Sequence, residues 1–496
     1  MELTVFLEKQ DIRKIGLFKF LEASYQQRAT FSDISENLNI SDFILLNTVD
    51  ELTRDIEANQ LTDCFKLEKT EKHIILKKSG KASVQVLAWL YLKKSHSFKI
   101  LDEIYRGTFT NIASYSESNF VSYTSVYNRI QELKKILRSY EIELSSRFKL
   151  IGDEMKIRMY FYQVYYERFN RIEFPFEPKK KEVNMLFIQQ LEEQLQHSFS
   201  EVDKAKLDFF LAVNLNRIQQ GTDLHSSTVE RKKINVQLFL PIYEKIQGFL
   251  MEQVHLLNQN HLISESKFIL AFLISENMLS LNQKRLEPLI KNEQLTDFFL
   301  EEFSTFFENK VKKNYLNHLK SELMILHFKV LYFEKIGGIF EDAMSSNFIK
   351  ENYLDAFLFC QQFIKTGGGN KKFKSINKNS DFLFRHYLFL IIEVFPPDFF
   401  MKSIKIYIDF SIGKHYHSMV SANVKTFSFL NIEVIDEMNQ GTDLVLSDYY
   451  FADKRKNCDY LVWNVLPTPA DWANLGAHLT KIKRNREAEV NLDETT

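Results

Sequence analysis

The sequence predicts a mostly α-helical protein built from several domains. Its 496 residues exceed the length that one hydrophobic core usually organises, so several separate cores are expected. Phenylalanine (45) and tyrosine (21) are abundant, whereas glycine (14) and proline (8) are scarce. This balance favours long packed helices over turn-rich β-sandwiches, because glycine and proline are the residues that form turns and interrupt helices.

Charge and cysteine content narrow the classes of function. Lysine plus arginine (64) nearly equals aspartate plus glutamate (65), so a strongly charged partner must be met by a local patch of the surface. Cys64, Cys360 and Cys458 are too far apart to predict a disulfide framework or a zinc site, and no metal or cofactor is expected. No segment offers about twenty consecutive apolar residues, so we expect a soluble cytoplasmic protein with no membrane partner.

Residues 1–80 show the order helix, turn, helix and hairpin. FSDISENLNI has the spacing of an amphipathic helix, and SDFILLNTVDELTRDIEA is a second one that begins at Ser41, a suitable N-cap. Two short strand-like runs follow around a charged turn, FKLEKT and HIILKK. This order is that of a winged helix-turn-helix, in which the second helix of the pair is presented to DNA.

The same order recurs in residues 81–173. Two helical stretches precede the polar helix of SNFVSYTSVYNRIQELKKILRSY, Ser118 to Tyr140, and two short strands follow it around SSR. The apolar residues of the longer helix recur at steps of four, three and four, as one buried stripe: Val126, Ile130, Leu133 and Leu137. We therefore predict two winged helix-turn-helix units in tandem.

The outer face of this second long helix predicts a DNA-reading surface. Its N-terminal half carries groups that can meet base edges, and cations follow toward its C-terminus. From Lys77 to Tyr140 there are eleven cations against four acidic residues, a net charge of +7 in a nearly neutral chain. The predicted DNA-binding residues are Ser122, Tyr123, Thr124, Ser125, Tyr127, Asn128, Arg129, Lys134, Lys135 and Arg138. The alternatives for the same face are a solvated surface or a protein-binding surface.

The corresponding helix of the first unit carries the opposite charge. It holds five acidic residues and a single arginine: Asp42, Asp50, Glu51, Asp55, Glu57 and Arg54. A phosphate backbone would be repelled by this pattern. We therefore expect the second unit to make the main DNA contacts and the first unit to have a weaker or architectural role.

The remaining chain divides at two changes of pattern. The lysine-rich stretch 174–182 is interpreted as a linker, after which long aromatic-rich helices continue to about residue 395. Within them, the glycine-rich run 365–380 is predicted to be a flexible loop. Four strand-like runs alternate with helical segments from about residue 400, which predicts a small parallel α/β domain over 400–485. The polar tail after Arg484 is expected to fray.

Tandem winged units, a long helical middle and a small α/β end resemble the Mga/AtxA-type virulence regulators of Gram-positive bacteria. FKLIGDEMKIRMYFYQVYYERF, Phe148 to Phe169, resembles the wing-to-helix segment of regulators that carry phosphotransferase-system regulation domains. The resemblance implies that 180–292 and 293–396 are two such domains, helical bundles that can receive phosphate on histidine in this family. It also implies that 400–485 is similar to the phosphotransferase component called enzyme IIB.

Several positions depart from the pattern of the phosphorylated relatives. The histidine slots of the first bundle hold Phe210 and Phe272, and a phenyl ring has no nucleophilic nitrogen. In the second bundle His318 fits the first slot and is the best candidate for a phosphoacceptor, with His327 behind it. The enzyme IIB-like loop DFSIGKHYHSM lacks the cysteine that carries phosphate in catalytic members, so we expect the end domain to serve dimerisation or sensing.

Taken with the resemblance, these features predict a non-enzymatic transcriptional regulator of double-stranded promoter DNA, with activation as the expected direction. The expected protein partners are a second copy in a homodimer, RNA polymerase and a phosphotransferase-system phosphocarrier protein. A phosphotransferase-linked carrier or enzyme is one alternative, and the missing cysteine and the two phenylalanine slots argue against it. An RNA-binding antiterminator is another, although tandem winged helices suit duplex DNA better.

Overall fold

A computed structural model describes most of the chain, and helices predominate in it. The described residues are 6–224, 234–254, 258–279, 294–308, 311–336, 349–350, 353–400, 403–427, 430–449, 458–464 and 466–493. The chain groups into two compact units: unit 1 is Met1–Glu293 with Met324–Asp342, and unit 2 is Gln294–Leu323 with Ala343–Thr496. None of the helices in the described ranges is long and apolar enough to cross a bilayer.

Compact unit 1 begins with a helix-turn-helix followed by a hairpin. The elements are α1 (Lys9–Ala23), β1 (Arg28–Thr30), α2 (Phe31–Leu38), α3 (Asp42–Ala58), β2 (Phe65–Lys69) and β3 (His73–Lys78). Ser41 caps α3 as predicted, because its hydroxyl oxygen accepts a hydrogen bond from the backbone N–H of Ile44. The strands pair antiparallel in the order β1-β3-β2, so the hairpin gains a third strand from the chain before α2.

A second helix-turn-helix and hairpin follow. Their elements are α4 (Val84–Lys94), α5 (His96–Arg106), α6 (Ile112–Asn119), α7 (Tyr123–Ser139), β4 (Ile142–Leu144) and β5 (Leu150–Gly152). The ring of Phe109 lies 5.7 Å from that of Tyr115 on α6 and 4.8 Å from that of Phe148 in the hairpin. These aromatic contacts hold the helices and the hairpin on one core.

Helix α8 (Glu154–Phe169) connects this second helix-turn-helix to the helical bundle that follows it in the chain. Its Arg158 is fully buried, and acceptors from elsewhere in the chain surround its guanidinium. Arg158 Nη2 donates to Glu265 Oε1 at 2.9 Å, and Nη1 donates to Asn214 Oδ1 at 3.1 Å. A charge removed from water so completely needs an opposite charge and hydrogen bonds to replace its hydration. The network therefore fixes the position of α8 on its neighbours.

Those neighbours are the helices of the first bundle. They are α9 (Pro178–Leu195), α10 (Glu201–Gln219), α11 (Leu240–Gln253) and α12 (Gln259–Ser275). Asn214 lies on α10 and Glu265 on α12, so Arg158 joins three helices. Arg217 of α10 forms a second bridge, with Nε and Nη2 at 2.9 and 2.8 Å from the carboxylate oxygens of Glu154. Burial acts to raise the pKa of Glu154, but the guanidinium groups outweigh it and hold that pKa below its ordinary value.

The stretch 174–182 is packed, and the interpretation as a linker was wrong. Helix α9 begins at Pro178, where the missing N–H of proline costs no helical hydrogen bond, so the following lysines are helical. Before it, the rings of Phe174 and Phe176 lie 5.5 and 6.4 Å from that of Phe209. These long-range aromatic contacts anchor the segment, and its local composition does not reveal them.

Compact unit 2 contains a second set of helices. They are α13 (Gln294–Phe306), the first residues of α14 (Lys313–Phe333), α15 (Leu354–Gly369), α16 (Lys374–Lys378), α17 (Ser380–Val394) and α18 (Pro397–Phe400). The run 365–380, predicted to be a flexible loop, is therefore largely helical. Phe373 stacks on Phe298 at 4.9 Å, and Gly367 allows close approach of α16, since a Cβ there would stand 2.5 Å from Ile376. Tertiary packing here outweighs the low helix propensity of glycine.

The chain ends in a small α/β layer. Its elements are β6 (Ile404–Asp409), α19 (Lys414–Val424), β7 (Ile432–Ile435), β8 (Leu444–Ser447), β9 (Asp459–Val462) and α20 (Pro469–Asp493). The four strands pair in parallel in the order β7-β6-β8-β9, as the alternating runs predict. Helix α20 continues past Arg484, where a frayed tail was expected, because REAE consists of good helix formers.

We predict that Arg158→Ala strongly destabilises compact unit 1. Glu265 would lose its guanidinium partner in a dry interior and Glu154 would keep only Arg217, and breaking a buried pair in this way costs about 3–5 kcal/mol. Urea unfolding followed by circular dichroism measures the loss. Lys66→Ala, which breaks an exposed pair with Glu68, is the control and should cost less than about 1 kcal/mol. Equal costs for the two variants would contradict the role given to Arg158.

Candidate nucleic-acid interface

Helix α7 has one face in the protein core and one face in solvent. The predicted apolar stripe is confirmed, because all four of its members are buried: Val126, Ile130, Leu133 and Leu137. Ile136 is buried with them. An anchored stripe along the 17-residue helix leaves the opposite side as a fixed, solvent-facing surface.

The turn before α7 positions the first residues of that surface. Helix α6 ends at Asn119, and Phe120 then adopts the left-handed conformation (φ 54°) with its side chain 97% exposed. Ser122 caps α7, since its Oγ accepts a hydrogen bond from the N–H of Ser125 at 3.2 Å. Ser122, predicted to contact DNA, thus uses its hydroxyl oxygen to start the helix.

The N-terminal half of α7 exposes hydroxyl, amide and aromatic groups. Tyr123 and Tyr127 are 56% and 46% exposed, Thr124 and Asn128 are exposed, and Ser125 is half-buried. An asparagine amide can pair with N6 and N7 of adenine, and methyl groups and rings can contact the methyl of thymine. This half of the helix therefore has the chemistry that reading base edges in a major groove requires.

Cations occupy the C-terminal half of α7. Of the eleven between residues 77 and 140, five form ion pairs: Lys77, Lys78, Lys93, Arg106 and Arg129. Within the described ranges the other six form no ion pair: Lys81, Lys94, Lys99, Lys134, Lys135 and Arg138. Lys134 and Arg138 lie four positions apart on one helix face, where like charges repel. Binding a phosphate backbone would offset this repulsion.

Arg129 is not available to DNA in the way that the sequence predicts. Its side chain is only 20% exposed, with Nη2 at 2.6 Å from Glu8 Oε1 and Nη1 donating to Ser97 Oγ at 3.1 Å. Glu8 precedes α1 and Ser97 lies on α5, so Arg129 fastens α7 to two segments that are distant in the chain. The structure therefore gives Arg129 contacts that position α7, and its contact with DNA stays a prediction. Helix spacing placed Arg129 outward but could not show which neighbours face it.

The β4–β5 hairpin supplies cations that the sequence-based prediction omits. Arg147 and Lys149 are exposed near its tip, and in the part of the chain that the structure describes neither forms an ion pair. Arginine and lysine side chains of this kind bind phosphates and fix the register of a protein on a duplex. The run SSRFK, with two cations at a predicted hairpin turn, was the sequence pattern that could have identified them.

The helix α3 of the N-terminal helix-turn-helix presents mainly acidic groups. Its exposed charged residues are Asp42, Asp50, Arg54 and Glu57. Asp55 turns toward the rest of the protein and accepts hydrogen bonds from Lys14 Nζ at 2.6 Å and from the hydroxyl of Tyr91 at 2.8 Å. Because Tyr91 belongs to α4, its hydrogen bond to Asp55 joins the first helix-turn-helix to the second one. The contacts favour an architectural role.

Comparisons with known proteins agree with this geometry. Residues 80–165, which hold α4 to α7, the β4–β5 hairpin and most of α8, match the Mga helix-turn-helix domain. This match and the relatives that follow make the chain similar to the Mga/AtxA-type virulence regulators. The capsule synthesis positive regulator AcpB of Bacillus anthracis is 26% identical over 240 residues, which cover 48% of this chain and about half, 48%, of AcpB. The capsule synthesis positive regulator AcpA of the same organism is 22% identical over 383 residues, which cover 75% of this chain and 77% of AcpA.

The resemblance to these regulators draws attention to a pair of rings in the first bundle. Phe210 of α10 and Phe272 of α12, which the sequence-based prediction placed in the two histidine slots, are fully buried and stack at 3.8 Å with an angle of 13° between their planes. The fold thus brings together two positions that lie far apart in the sequence. A stacked phenylalanine pair contributes buried apolar area and offers no atom that could accept phosphate.

His318 and His327 lie on one helix, α14, in different surroundings. His318 is exposed, and Glu322 follows it by one turn. His327 is fully buried, and burial lowers the pKa of its imidazole to about 3. A buried ring cannot meet a protein that donates phosphate, so His327 is withdrawn as a candidate phosphoacceptor. The sequence alone did not show which side of α14 faces the core.

The loop after β6 in the small α/β layer is closed by hydrogen bonds to a carboxylate of the same layer. The N–H of Ser411 donates to Asp448 Oδ1 at 3.0 Å, and the hydroxyl of Ser411 also donates to this carboxylate. Asp448 follows β8, so the contact joins the carboxyl ends of two neighbouring parallel strands. This is the edge at which open α/β sheets bind ligands, and here Asp448 already uses the donors of Ser411.

We predict that Arg129→Ala weakens DNA binding and that Glu8→Ala reproduces part of this effect, since Arg129 also donates to Ser97. If their ion pair positions α7, each change should weaken binding by at most about fivefold, as for a partly exposed pair, without altering the salt dependence. The double variant should bind no worse than Arg129→Ala, because that change already removes the ion pair with Glu8. Fluorescence anisotropy with labelled duplex measures all three. Loss of sequence discrimination in Arg129→Ala alone would instead show that Arg129 contacts bases.

Proposed function

We propose that this protein is a transcriptional regulator that binds double-stranded promoter DNA through α7 and the β4–β5 hairpin. The observation that carries the proposal is the division of the exposed face of α7 into a polar, aromatic N-terminal half and a cationic C-terminal half. The match of residues 80–165 to the Mga helix-turn-helix domain supports it. A solvated surface helix has no need for this arrangement, and like charges at four-residue spacing would weaken it.

The two halves would have different tasks on the duplex. Base edges would be read by the exposed groups at the start of α7: Tyr123, Thr124, Tyr127 and Asn128. Phosphates would be bound by the cations of α7 and the hairpin: Lys134, Lys135, Arg138, Arg147 and Lys149. Contacts of the first kind determine sequence preference, and contacts of the second kind supply affinity and register.

The same proposal includes activation of transcription by a homodimer in the cytoplasm, with RNA polymerase as a protein partner. The names of AcpA and AcpB, positive regulators of capsule synthesis, support activation. We assign self-association to the end domain. Its strand β9 lies at one edge of the described sheet with Val462 49% exposed, and an uncovered edge strand can pair with a second copy.

We also propose that the helical bundles report the state of the phosphotransferase system or an equivalent signal. His318 is the residue that this proposal assigns to phosphate, because it is exposed on α14 and fits the family's slot. A phosphohistidine would add negative charge beside Glu322, and repulsion there would favour a changed arrangement of this helix.

We predict that removing cations from the proposed interface flattens the salt dependence of DNA binding. Each lost phosphate contact should reduce the slope of log K against log salt by about 0.9, so Lys134→Ala with Lys135→Ala should reduce it by about two. Arg147→Ala with Lys149→Ala should act in the same way. Anisotropy titrations on promoter and scrambled duplexes over a range of salt concentrations measure the slopes.

Two further variants make this experiment specific. Asn128→Ala should leave the slope unchanged and reduce the preference for promoter over scrambled DNA, by about 1–3 kcal/mol for a lost bidentate contact. Lys425→Ala, an exposed lysine at the end of α19, is the control and should behave as the parent. Unchanged binding in every α7 and hairpin variant would show that DNA does not bind to this surface, and it would overturn the proposed function.

We predict that a phosphotransferase-system phosphocarrier protein modifies His318. Incubation with the phosphorylated carrier, followed by intact mass and peptide mapping under conditions that preserve phosphohistidine, should show one adduct that His318→Ala abolishes. His415→Ala, which removes an exposed histidine of α19, should leave the adduct unchanged. An adduct that persists in His318→Ala would place the phosphate elsewhere.

A further inference from the structure

The C-terminal end of α7 is capped by the side chain of a residue from far along the chain. The last carbonyls of a helix have no partner within it and need another donor. Local N–H or hydroxyl groups meet three of the last four carbonyls: those of Ile136, Leu137 and Arg138. The last carbonyl, of Ser139, accepts a hydrogen bond at 2.7 Å from Nζ of Lys335, which lies 196 positions later.

The ammonium of Lys335 has a second partner at the same place. It lies 3.8 Å from the ring centroid of Tyr140, the residue that directly follows α7. A cation in this position is favoured by the electron-rich face of the ring and by the negative end of the helix dipole. Lys335 therefore acts as a cationic cap for α7.

The residue before Lys335 strengthens the same junction. Glu334 Oε2 lies 3.1 Å from Nζ of Lys156 on α8, and this ammonium also lies 2.5 Å from Oε2 of Glu141. Burial acts to lower the pKa of Lys156, but its hydrogen bonds to the two carboxylates outweigh burial, and the pKa is raised. We call Glu334 and Lys335 the clasp, because they hold the end of α7 and the start of α8.

The clasp is attached to the first bundle. It directly follows α14, whose residues from Met324 onward belong to compact unit 1. Phe333, the last residue of α14, has its ring 5.8 Å from that of Phe268 on α12. Phe268 in turn lies 5.1 Å from Phe210, one of the two stacked phenylalanines. Packed side chains thus connect the interior of the bundle to the end of α7.

We propose that Lys335 is a positioning residue for DNA binding, through which the first bundle sets the orientation of α7. The proposal rests on the proposed function, since it concerns how the same helix is held. By closing the last carbonyl of α7, Lys335 fixes the angle at which the helix presents its exposed side chains. A change in the bundle that moves the clasp would weaken DNA binding without any change at the interface.

Lys335→Met tests this role, since it keeps the length of the side chain and removes the charge and the donor. We expect affinity for the promoter duplex to fall about tenfold, as for loss of a hydrogen bond made by a charged group, with the salt slope of the parent. Lys335→Arg can still donate to Ser139 and lie over Tyr140, so it should recover most of the affinity. Lys425→Met is the matched control.

Active fractions, determined by stoichiometric titration, separate positioning from misfolding. A weaker dissociation constant with an unchanged active fraction and salt slope supports the proposal. Parent-like binding by Lys335→Met overturns it, as does a slope reduced by about one, which would mean that Lys335 itself binds phosphate. A reduced active fraction with an unchanged dissociation constant shows a purely structural role and also overturns it. If the parent does not bind DNA, the proposed function fails, and the role of Lys335 fails with it.

Discussion

The arrangement of compact unit 1 depends on the buried guanidinium of Arg158. A charge with no exposure to water must find its partners in the protein, and Arg158 finds them on α10 and α12 through Asn214 and Glu265. Glu154, one turn earlier on α8, is held by both Arg158 and Arg217. These directional bonds allow α8 one position on the bundle. Because α8 follows the hairpin directly, the second helix-turn-helix is held in the same frame.

The charges on α7 illustrate how stability and binding are divided along one helix. Arg129 is used within the protein, where Glu8 and Ser97 hold it, and this contact orients the helix from its middle. Lys134 is half-buried and Arg138 is exposed, and neither has an ion-pair partner in the described residues. The ion pair of Arg129 stabilises the fold. The unpaired cations leave positive charge available to bind phosphate, although Lys134 and Arg138 repel each other. A helix evolved for stability alone would favour alternating charges at these positions.

The interior of the first bundle contains a pair of stacked aromatic rings. Phe210 and Phe272, which were predicted to occupy the histidine slots, form a dry aromatic stack, which favours rigid packing and removes the possibility of charge at these sites. We therefore expect a phosphoryl signal to enter at another position, for which the exposed His318 on α14 stays the prediction. The residues after α14 contact the end of α7, so a route from helix packing to the DNA-binding surface exists within compact unit 1.

The sequence by itself determined the elements whose information is local. The spacing of Val126 to Leu137 predicted the buried face of α7, Ser41 predicted a helix start, and the alternating runs after residue 400 predicted a parallel sheet, because periodicity and capping depend on neighbouring residues. Only the tertiary structure decided which outward side chains are free. It paired Arg129 with Glu8, buried His327, and made the run 365–380 helical through contacts with residues far away in the chain. Such contacts have no local pattern, since the partner is chosen by the fold and not by sequence spacing.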